Sequence, residues 1–283
     1  RYKKLQQWNE FEIKVNEKRI FSYNGLRYHE VEERKTIAVA KDENRNFVGH
    51  ADIPSKIEFM DLNLSLTVCG IEDDAFRDND KLASVHVSKN VVTIGKGAFA
   101  RCANLEYFTS DNGIDGEVGF EAINGVLFNK EHDTLVAYPA GNDRQIYSIP
   151  ASVTKIEDYA FSSMRSLLRI GFPNKEYDMH KEFVFDSVGK EVISNCYAYV
   201  PKDAVKLKNL LESLGFKVNT ETFSFEGLNY KILTDDEEHT VEVTDNRGFV
   251  GELVIPERVS FAGVEYVVVG IGGDAFLYNC KND

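Results

Sequence analysis

The sequence predicts a β-rich α/β solenoid that carries a β-hairpin insert and is flanked by small β segments and a closing helix. An Ile-x-x-x-Ala-Phe pattern occurs four times, with its Ile and Phe at Ile71/Phe76, Ile94/Phe99, Ile156/Phe161 and Ile271/Phe276. The first two Phe are 23 residues apart, a repeat length typical of solenoids. The run 21–28 also returns at 223–230, an offset of 202 residues, so a longer module contains the short repeats.

The repeat has a physical reason. A coil of 23 residues is too small to enclose its own core, so each coil must lay its apolar side on the next. Alternating Leu and Val form a short strand whose inward side chains fill the stack. Ala must be small where two backbones approach closely, and Phe supplies most of the filling area. We therefore expect Phe76, Phe99 and Phe161 to be buried and stacked in a row.

The segment from Ile94 to Leu105 carries the whole set of repeat residues, including Cys102. With these residues the sequence resembles the BspA-like subfamily of leucine-rich repeats, and Gly125–Gly141 looks like a hairpin insert common in that family. The resemblance implies leucine-rich-repeat-type coils in a secreted or surface-displayed bacterial protein that binds something, and it implies no chemistry. The Cys position departs from the pattern in the other copies, which have Asn79, Met164 and Asn279.

The offset of 202 residues predicts five segments in chain order. They are a helix that closes a preceding module (1–19), a β-rich opening segment (20–68), the leucine-rich-repeat solenoid with its hairpin insert over 111–150 (69–173), a closing strand and helix (174–219), and the truncated start of a second module (220–283).

Local patterns predict the elements inside these segments. In the opening segment, the turn at Gly25 and strands around Val39 and Phe47 alternate apolar and polar residues. In the insert, two apolar runs flank the polar turn 129–133 and predict a hairpin.

The closing segment has leucines at helical spacing, Leu207, Leu210, Leu211 and Leu214. Pro201 suits the first turn of this helix and Gly215 its end. We expect the helix to cover the last coil, because an uncovered solenoid end exposes apolar surface and unpaired strand groups.

Charge and composition limit the partners. The formal net charge of −13 disfavours binding to nucleic acid or to an anionic membrane surface, and apolar runs such as 267–269 are too short to span a bilayer. The cysteines Cys69, Cys102, Cys196 and Cys280 lie far apart, which predicts reduced thiols and no zinc site. The sequence leaves the oligomeric state open.

Motifs for catalysis are missing from the sequence. Its six histidines are at least 21 residues apart, and it contains no HExxH, GxSxG, P-loop or GxGxxG motif. We therefore predict no enzyme, no catalytic residue, no cofactor and no metal. The acidic stretches 42–46, 111–117 and 235–238 could supply calcium ligands, but polar turns explain them more simply.

These observations predict a non-enzymatic binding or adhesion protein, extracellular or on a bacterial cell surface, whose solenoid binds a host or neighbouring-cell protein. The alternative is a glycan-binding accessory module, or a repeat platform of a carbohydrate-active protein. A cluster of exposed Trp or Tyr would favour glycans, but the chain has a single Trp, Trp8, in the predicted first helix.

The strand face is the expected binding surface. Side chains alternate across a strand, so Leu82, Val85 and Val87 should point inward while Ser84 and His86 point outward. Alignment on the repeat leucine places Tyr107 and Thr109 at the same outward positions in the next coil, and Arg169 and Gly171 in the coil after the insert. The prediction is two columns, Ser84–Tyr107–Arg169 and His86–Thr109–Gly171. The sequence is equally consistent with a strand face that binds no partner and is either solvated or covered by the insert.

Overall fold

The computed structural model describes residues 20–32, 35–41, 44–60, 63–111, 119–234, 239–246, 253–261 and 264–276. The predicted helix at 1–19, with Trp8, and Cys280 lie outside these residues. The described part is mostly β-strand, with three short helices. The chain divides into two compact units, here called unit 1 (1–142, 155–165 and 179–188) and unit 2 (143–154, 166–178 and 189–283).

In its described residues, unit 1 contains three sheets. The first has the order β1 (Ile20–Tyr23), β2 (Leu26–Glu32), β3 (Thr36–Val39), β6 (Leu64–Ile71) and β5 (Lys56–Phe59), with β8 (Thr93–Ile94) also paired to β6. The second is the parallel sheet β4 (Gly49–Ile53), β7 (Leu82–Val87) and β9 (Tyr107–Ser110). The third has the order β10 (Phe120–Ile123), β11 (Val126–Asn129), β12 (Thr134–Ala137) and β14 (Lys155–Ile156). Helix α1 covers Lys181–Val184.

The part of unit 2 that the structure describes contains two sheets. The parallel sheet has the order β13 (Ile146–Ser148), β15 (Arg169–Gly171), β16 (Tyr197–Tyr199) and β17 (Lys217–Asn219). The other has the order β18 (Thr222–Phe225), β19 (Leu228–Thr234), β20 (Thr240–Val243), β22 (Val264–Ile271) and β21 (Arg258–Phe261). Helices α2 (Lys190–Asn195) and α3 (Val205–Leu214) complete the unit.

Helix α3 is the amphipathic helix that the leucine spacing predicts. It buries Leu207 and Leu211 and ends at Gly215, whose φ of 103° is the left-handed conformation common after a helix. The predicted start was wrong, because the helix begins at Val205 and Pro201 lies before it. The Pro201 carbonyl instead accepts a hydrogen bond from Ala204 N–H in the turn that leads into the helix.

The offset of 202 residues corresponds to a repeated sheet, and the expectation that both copies are β is confirmed. The order β1-β2-β3-β6-β5 returns as β18-β19-β20-β22-β21. Phe21 faces Tyr28 in the first hairpin, and Phe223 faces Tyr230 in the second. The rings of each pair stack at 5.6 Å. The shared register explains why the aromatic residues recur at the same positions.

A buried asparagine fixes the end of each repeated sheet. Asn44 Oδ1 accepts a hydrogen bond from Arg27 N–H at 2.8 Å, and its Nδ2 donates to the Arg27 and Ala40 carbonyls. Asn246 does the same in the second copy, accepting from Asn229 N–H at 2.8 Å. Such side-chain bonds satisfy backbone groups that the strands leave unpaired. The oxygen-rich pattern around Asn44 therefore has a structural use that we did not predict.

The first two repeats stack as expected. Here turn 1, turn 2 and turn 3 denote residues 71–79, 94–102 and 156–164. The ring of Phe76 stacks on that of Phe99 with 5.7 Å between centroids and 14° between planes. The Phe76 N–H donates to the Ala98 carbonyl at 2.8 Å. Because two backbones approach closely at this contact, the residue just before each repeat Phe must be small, and in every copy it is alanine.

The predicted row of three Phe rings is wrong at its third member. Phe161 is fully buried but stacks on Tyr138, at 5.3 Å, and on Phe185, at 5.5 Å. Phe99 is only partly buried, and its described ring neighbours are Phe76 and Phe108. Tyr138 belongs to the insert, so the insert takes the position beside Phe161 that we expected Phe99 to occupy.

The predicted hairpin is confirmed as β11 and β12, joined through the turn 130–133. Within the predicted insert the structure adds a third strand that we did not predict, because β10 pairs with β11 in an antiparallel register that places Phe120 opposite Asn129. Strand β12 pairs in parallel with β14, where Leu135 lies opposite Ile156. The insert therefore joins the stack of repeats instead of projecting from it.

The difference in burial between the repeat Phe residues gives a stability prediction. Phe76→Ala should lower the free energy of unfolding by about 3–5 kcal/mol, the usual loss for a fully buried Phe. Phe99→Ala should lower it by clearly less, because the Phe99 ring is already partly exposed. Urea denaturation, followed by far-ultraviolet circular dichroism of the backbone, measures both losses of unfolding free energy. Equal losses would contradict the difference in packing.

Candidate functional site

The outer face of the sheet β4-β7-β9 brings together four of the five predicted binding residues. Ser84 lies opposite Tyr107, and His86 lies opposite Thr109. Val85 and Val87 are fully buried on the other face, as the alternation predicts. Leu82 is also fully buried, although simple alternation would place it on the side of Ser84, and the pairing of β4 with β7 shifts register between these two residues. Strand β4 extends both rows, since His50 pairs with Ser84 and Asp52 with His86. We call these six outward residues the strand face: His50, Asp52, Ser84, His86, Tyr107 and Thr109.

Ser84 lies on the strand face, but its neighbours cover it. Only 6% of the residue is exposed, which corrects the expectation that it is open to solvent. Its Oγ lies 2.6 Å from Nδ1 of His50, within hydrogen-bonding distance. The His50 ring lies 6.5 Å from the ring of Tyr107, which is 39% exposed. Ser84 therefore holds His50 in place, and Tyr107 is the aromatic side chain that the strand face presents.

The second row is also fixed by hydrogen bonds. Nδ1 of His86 lies 3.0 Å from Oγ1 of Thr109, and its Nε2 lies 3.3 Å from Oδ1 of Asp111. The other oxygen of Asp111 accepts a hydrogen bond from Lys89 N–H at 3.0 Å. Because both ring nitrogens of His86 have partners, its side chain has one preferred orientation. A side chain that is already fixed loses less conformational entropy when a partner binds.

Arg169 and Gly171 lie in unit 2, in a different sheet from the rest of the predicted columns. Strand β13 pairs with β15, placing Ile146 opposite Arg169 and Ser148 opposite Gly171. Alignment on the repeat leucine skipped β13, because no leucine marks this strand. Arg169 is also largely enclosed, and its Nη2 donates to Oδ2 of Asp245 at 3.0 Å.

The insert reaches one edge of the strand face. The Phe108 N–H donates to the Gly125 carbonyl at 2.9 Å, in the turn between β10 and β11. Gly125 has a φ of 79°, and a Cβ there would lie 3.2 Å from Cβ of Tyr107. The turn therefore needs glycine for its conformation and for its approach to β9. The insert borders Tyr107 while leaving it partly exposed.

Unit 1 also contains a cleft of about 320 Å³ between turn 2, turn 3 and the insert. The larger aliphatic and Phe side chains of its lining are Ile94, Phe99, Phe120 and Val136. At its rim Lys96 Nζ lies 2.7 Å from Oδ2 of Asp158, and His180 Nδ1 lies 2.9 Å from Oδ1 of Asp158. Burial of the Asp158 carboxyl works to raise its pKa, but the hydrogen bonds from Lys96 and His180 outweigh burial and hold the pKa below its usual range.

Neither a metal centre nor a membrane span was found in the described part of the chain. No group of three or more His, Cys, Asp or Glu side chains there is arranged to hold a metal ion. None of the described helices combines the length and apolar character needed to cross a bilayer. Of the acidic stretches considered for calcium, residues 42–43, 112–118 and 235–238 lie outside the described residues, and the Asn44 side chain is occupied by backbone hydrogen bonds.

The cysteines that the structure describes are free thiols, namely Cys69, Cys102 and Cys196. Cys102 Sγ donates a hydrogen bond to the Phe76 carbonyl at 3.1 Å, so this side chain helps to join turn 1 to turn 2. Burial raises the pKa of the Cys102 thiol to about 12, and burial also raises the pKa of Cys196 to about 12. Both thiols are therefore protonated and unreactive at neutral pH.

Comparison with known proteins gives one family match. The family model for the BspA type leucine rich repeat region matches residues 55–123 and 142–231, more than half of the chain, with six copies. The Ile-x-x-x-Ala-Phe pattern alone identified four. No protein with a curated description matches the sequence.

Several solved structures are similar to the chain at low identity. A leucine-rich repeat protein from Eubacterium ventriosum is 16% identical, with a TM-score of 0.34 over 64% of this chain and 65% of that protein. The alignment thus spans less than two thirds of that protein's length. A leucine rich cell surface protein from Faecalibacterium prausnitzii is 16% identical, with a TM-score of 0.33 over 91% of this chain and 73% of that one. A leucine-rich repeat protein from T. pallidum is 16% identical, with a TM-score of 0.38, and the alignment covers 70% of this chain and 97% of that one.

The buried thiols give a prediction on reactivity and pH. Iodoacetamide should leave Cys102 and Cys196 unlabelled in the native protein at pH 8 and should label both in urea, as measured by peptide mass mapping. Half-buried Cys69 serves as the internal reference.

Because an unfolded Cys102 ionises near its ordinary pKa of 9.0 and the folded one near 12, the free energy of unfolding should fall as pH rises through this interval. Native labelling of Cys102 at the rate seen in urea would contradict its burial.

Proposed function

The chain belongs to the BspA-type leucine-rich repeat family, and from this we propose that it is a non-enzymatic binding protein of a bacterial cell surface, secreted or displayed there, that holds a protein partner on its strand face. The observation that carries the proposal is the exposed Tyr107 among side chains fixed by hydrogen bonds. Tyr is enriched among the residues that contribute most binding energy at interfaces.

The rigidity of the strand face supports this use. Three parallel strands carry the residues, and the His50–Ser84 and His86–Thr109 contacts hold neighbouring side chains together. A partner that docks on such a surface orders few side chains, so less of the interaction energy is lost to entropy. Outward residues of a repeat can also change without disturbing the core, which suits a surface that must match one partner.

Charge indicates the kind of partner. The chain carries a net charge of −13, and Asp52 and Asp111 lie in or beside the strand face. A basic protein surface is therefore attracted, whereas acidic proteins and nucleic acids are repelled. We propose a host or neighbouring-cell protein with a basic patch, and association should weaken as salt concentration rises.

Our proposal for the wider architecture keeps the predicted solenoid, its module boundaries and the closing role of α3. The parallel pairing of successive repeat strands supports stacked coils in each unit. Helix α3 buries two leucines and precedes β17, which pairs with β16. A helix in this place covers apolar surface at the end of a coil.

The test begins with a pull-down from an extracellular-matrix extract, with the whole chain as bait, to identify a ligand. Tyr107→Ala should then weaken binding of that ligand by tenfold or more, since losses of about 2 kcal/mol mark the central residues of an interface. Surface plasmon resonance measures the change. Tyr197→Ala in unit 2 is the matched control, because Tyr197 is 43% exposed on another sheet.

Two outcomes would overturn the proposal. One is unchanged affinity of the Tyr107→Ala protein with its circular dichroism and melting temperature intact. The other is saturable binding on a glycan array without any protein ligand, which would favour the glycan-binding alternative. The role predicted for Arg169 needs its own variant, Arg169→Gln, because Arg169 belongs to unit 2 and its loss also breaks the contact with Asp245.

A further inference from the structure

Backbone hydrogen bonds join successive repeat turns at three regularly spaced positions. In turn 1, the N–H groups of Asp74, Phe76 and Asp78 donate to the next turn. Their acceptors are the carbonyls of Lys96, Ala98 and Ala100, at 3.1, 2.8 and 2.9 Å. Donors and acceptors both lie two residues apart, so the bonds resemble those between neighbouring strands.

Turn 3 uses the same three positions. The N–H groups of Tyr159, Phe161 and Ser163 donate to the segment that contains α1. The acceptors are the carbonyls of Phe183, Val184 and Asp186, at 3.2, 3.0 and 3.0 Å. The pattern therefore belongs to the repeat itself and does not depend on the sequence of the segment that follows.

Turn 2 departs from this pattern. Its corresponding residues are Gly97, Phe99 and Arg101. The Arg101 N–H donates to a side chain, the hydroxyl of Ser162, at 3.2 Å. Within the described ranges of the chain, the N–H groups of Gly97 and Phe99 have no hydrogen-bond acceptor. Both residues line the cleft.

The insert causes the difference. Glu157 N–H donates to the Leu135 carbonyl at 3.0 Å, just as Gly95 N–H donates to the Ile71 carbonyl at 2.8 Å. The Ala160 carbonyl, which by the repeat should accept from Phe99, accepts from Tyr138 at 2.7 Å. Turn 3 thus stacks on β12 instead of on turn 2.

Strand β12 is too short to replace a complete turn. Tyr138 is the third residue after Leu135, whereas Phe99 is the fifth residue after Ile94. The missing length leaves the cleft of about 320 Å³, open to a small ligand, with Phe99, Phe120 and Val136 on its apolar side.

We propose that this cleft binds a short segment of another polypeptide, two of whose carbonyls accept hydrogen bonds from the N–H groups of Gly97 and Phe99. The spacing of the two donors matches carbonyls two residues apart in a peptide, as Lys96 and Ala98 present them to turn 1. A small side chain between them fits the close approach, and an apolar one at the next position contacts Phe99 and Phe120. Main-chain pairing of this kind is an established mode of peptide recognition.

The charges of the cleft favour a peptide over a free anion. Glu157 and Asp158 contribute carboxylates to its lining, and the Lys96 ammonium is already paired with Asp158. A carboxylate or phosphate would therefore meet like charge, whereas neutral peptide carbonyls do not. This site is separate from the strand face, so either proposal can fail without the other.

The probe is the capped heptapeptide Ile-Gly-Lys-Gly-Ala-Phe-Ala, the sequence of residues 94–100 that supplies both carbonyls to turn 1. Nuclear magnetic resonance of the whole ¹⁵N-labelled chain should show saturable shifts centred on the Gly97 and Phe99 amides. Thr134→Trp fills the cleft from β12 and should abolish these shifts. Glu131→Trp places the same side chain on the exposed turn of that hairpin, outside the cleft, and should leave them unchanged.

Hydrogen exchange of the free protein tests the premise without any variant. The Gly97 and Phe99 amides should exchange at least tenfold faster than the amides of Phe76 and Phe161, which donate hydrogen bonds to neighbouring segments. Equal protection of all four would overturn the proposal. So would the absence of peptide-induced shifts at Gly97 and Phe99, or equal shifts with sodium acetate or N-acetylglucosamine in place of the peptide.

Discussion

The structure depends on backbone hydrogen bonding between one repeat turn and the next. Turns 1 and 3 each donate from three corresponding N–H groups to the segment beside them, as Phe76 N–H does to the Ala98 carbonyl. Buried backbone groups must be paired, so a turn that loses its neighbour either meets water or finds another partner. This requirement explains the repeat sequence better than apolar filling alone. Alanine is small because two backbones approach there, and the Phe rings stack at 5.7 Å because the backbone bonds set the spacing.

In the insert, a strand that is not a repeat turn supplies hydrogen-bond partners for the backbone groups of turn 3. Strand β12 supplies the Leu135 carbonyl and the Tyr138 N–H at the positions where a repeat turn would supply them. Tyr138 also supplies the ring that stacks on Phe161. Turn 3 is therefore satisfied while turn 2 is not, and the unsatisfied groups border a cleft. An insertion in a repeat protein can leave backbone donors beside a cleft in this way without any new chemical group.

Much of the fold follows from the sequence because stacking imposes a spacing that the sequence must repeat. The interval from Phe76 to Phe99, the hairpin and the leucines of α3 were all visible for this reason. The register of the insert was not visible, because Tyr138 replaces a Phe at a shortened spacing that no repeat pattern contains. For the candidate site, alternation along β7 and β9 placed Tyr107 and Thr109 correctly, but alignment on leucine could not detect β13, so Arg169 was assigned to the wrong neighbours. Asn44 was missed because oxygen-rich turns and calcium loops have the same composition.

The two proposed sites differ in the groups that they offer to a partner: side chains on the strand face, and backbone N–H groups in the cleft. On the strand face β7 is paired on both sides, with β4 and with β9, so the proposed recognition depends on outward side chains. Substitution of Tyr107 or its neighbours can then change the partner while the sheet stays intact. In the cleft the proposed recognition uses the backbone N–H groups of Gly97 and Phe99, which a substitution elsewhere in the lining leaves in place. The lining side chains then decide which peptides fit and whether any peptide can enter. A surface of the first kind suits specificity for one partner, whereas the second suits a class of segments. The same hydrogen-bonding rule underlies both, since it pairs β7 with β4 and β9 and leaves two N–H groups of the turn beside the insert without a described acceptor.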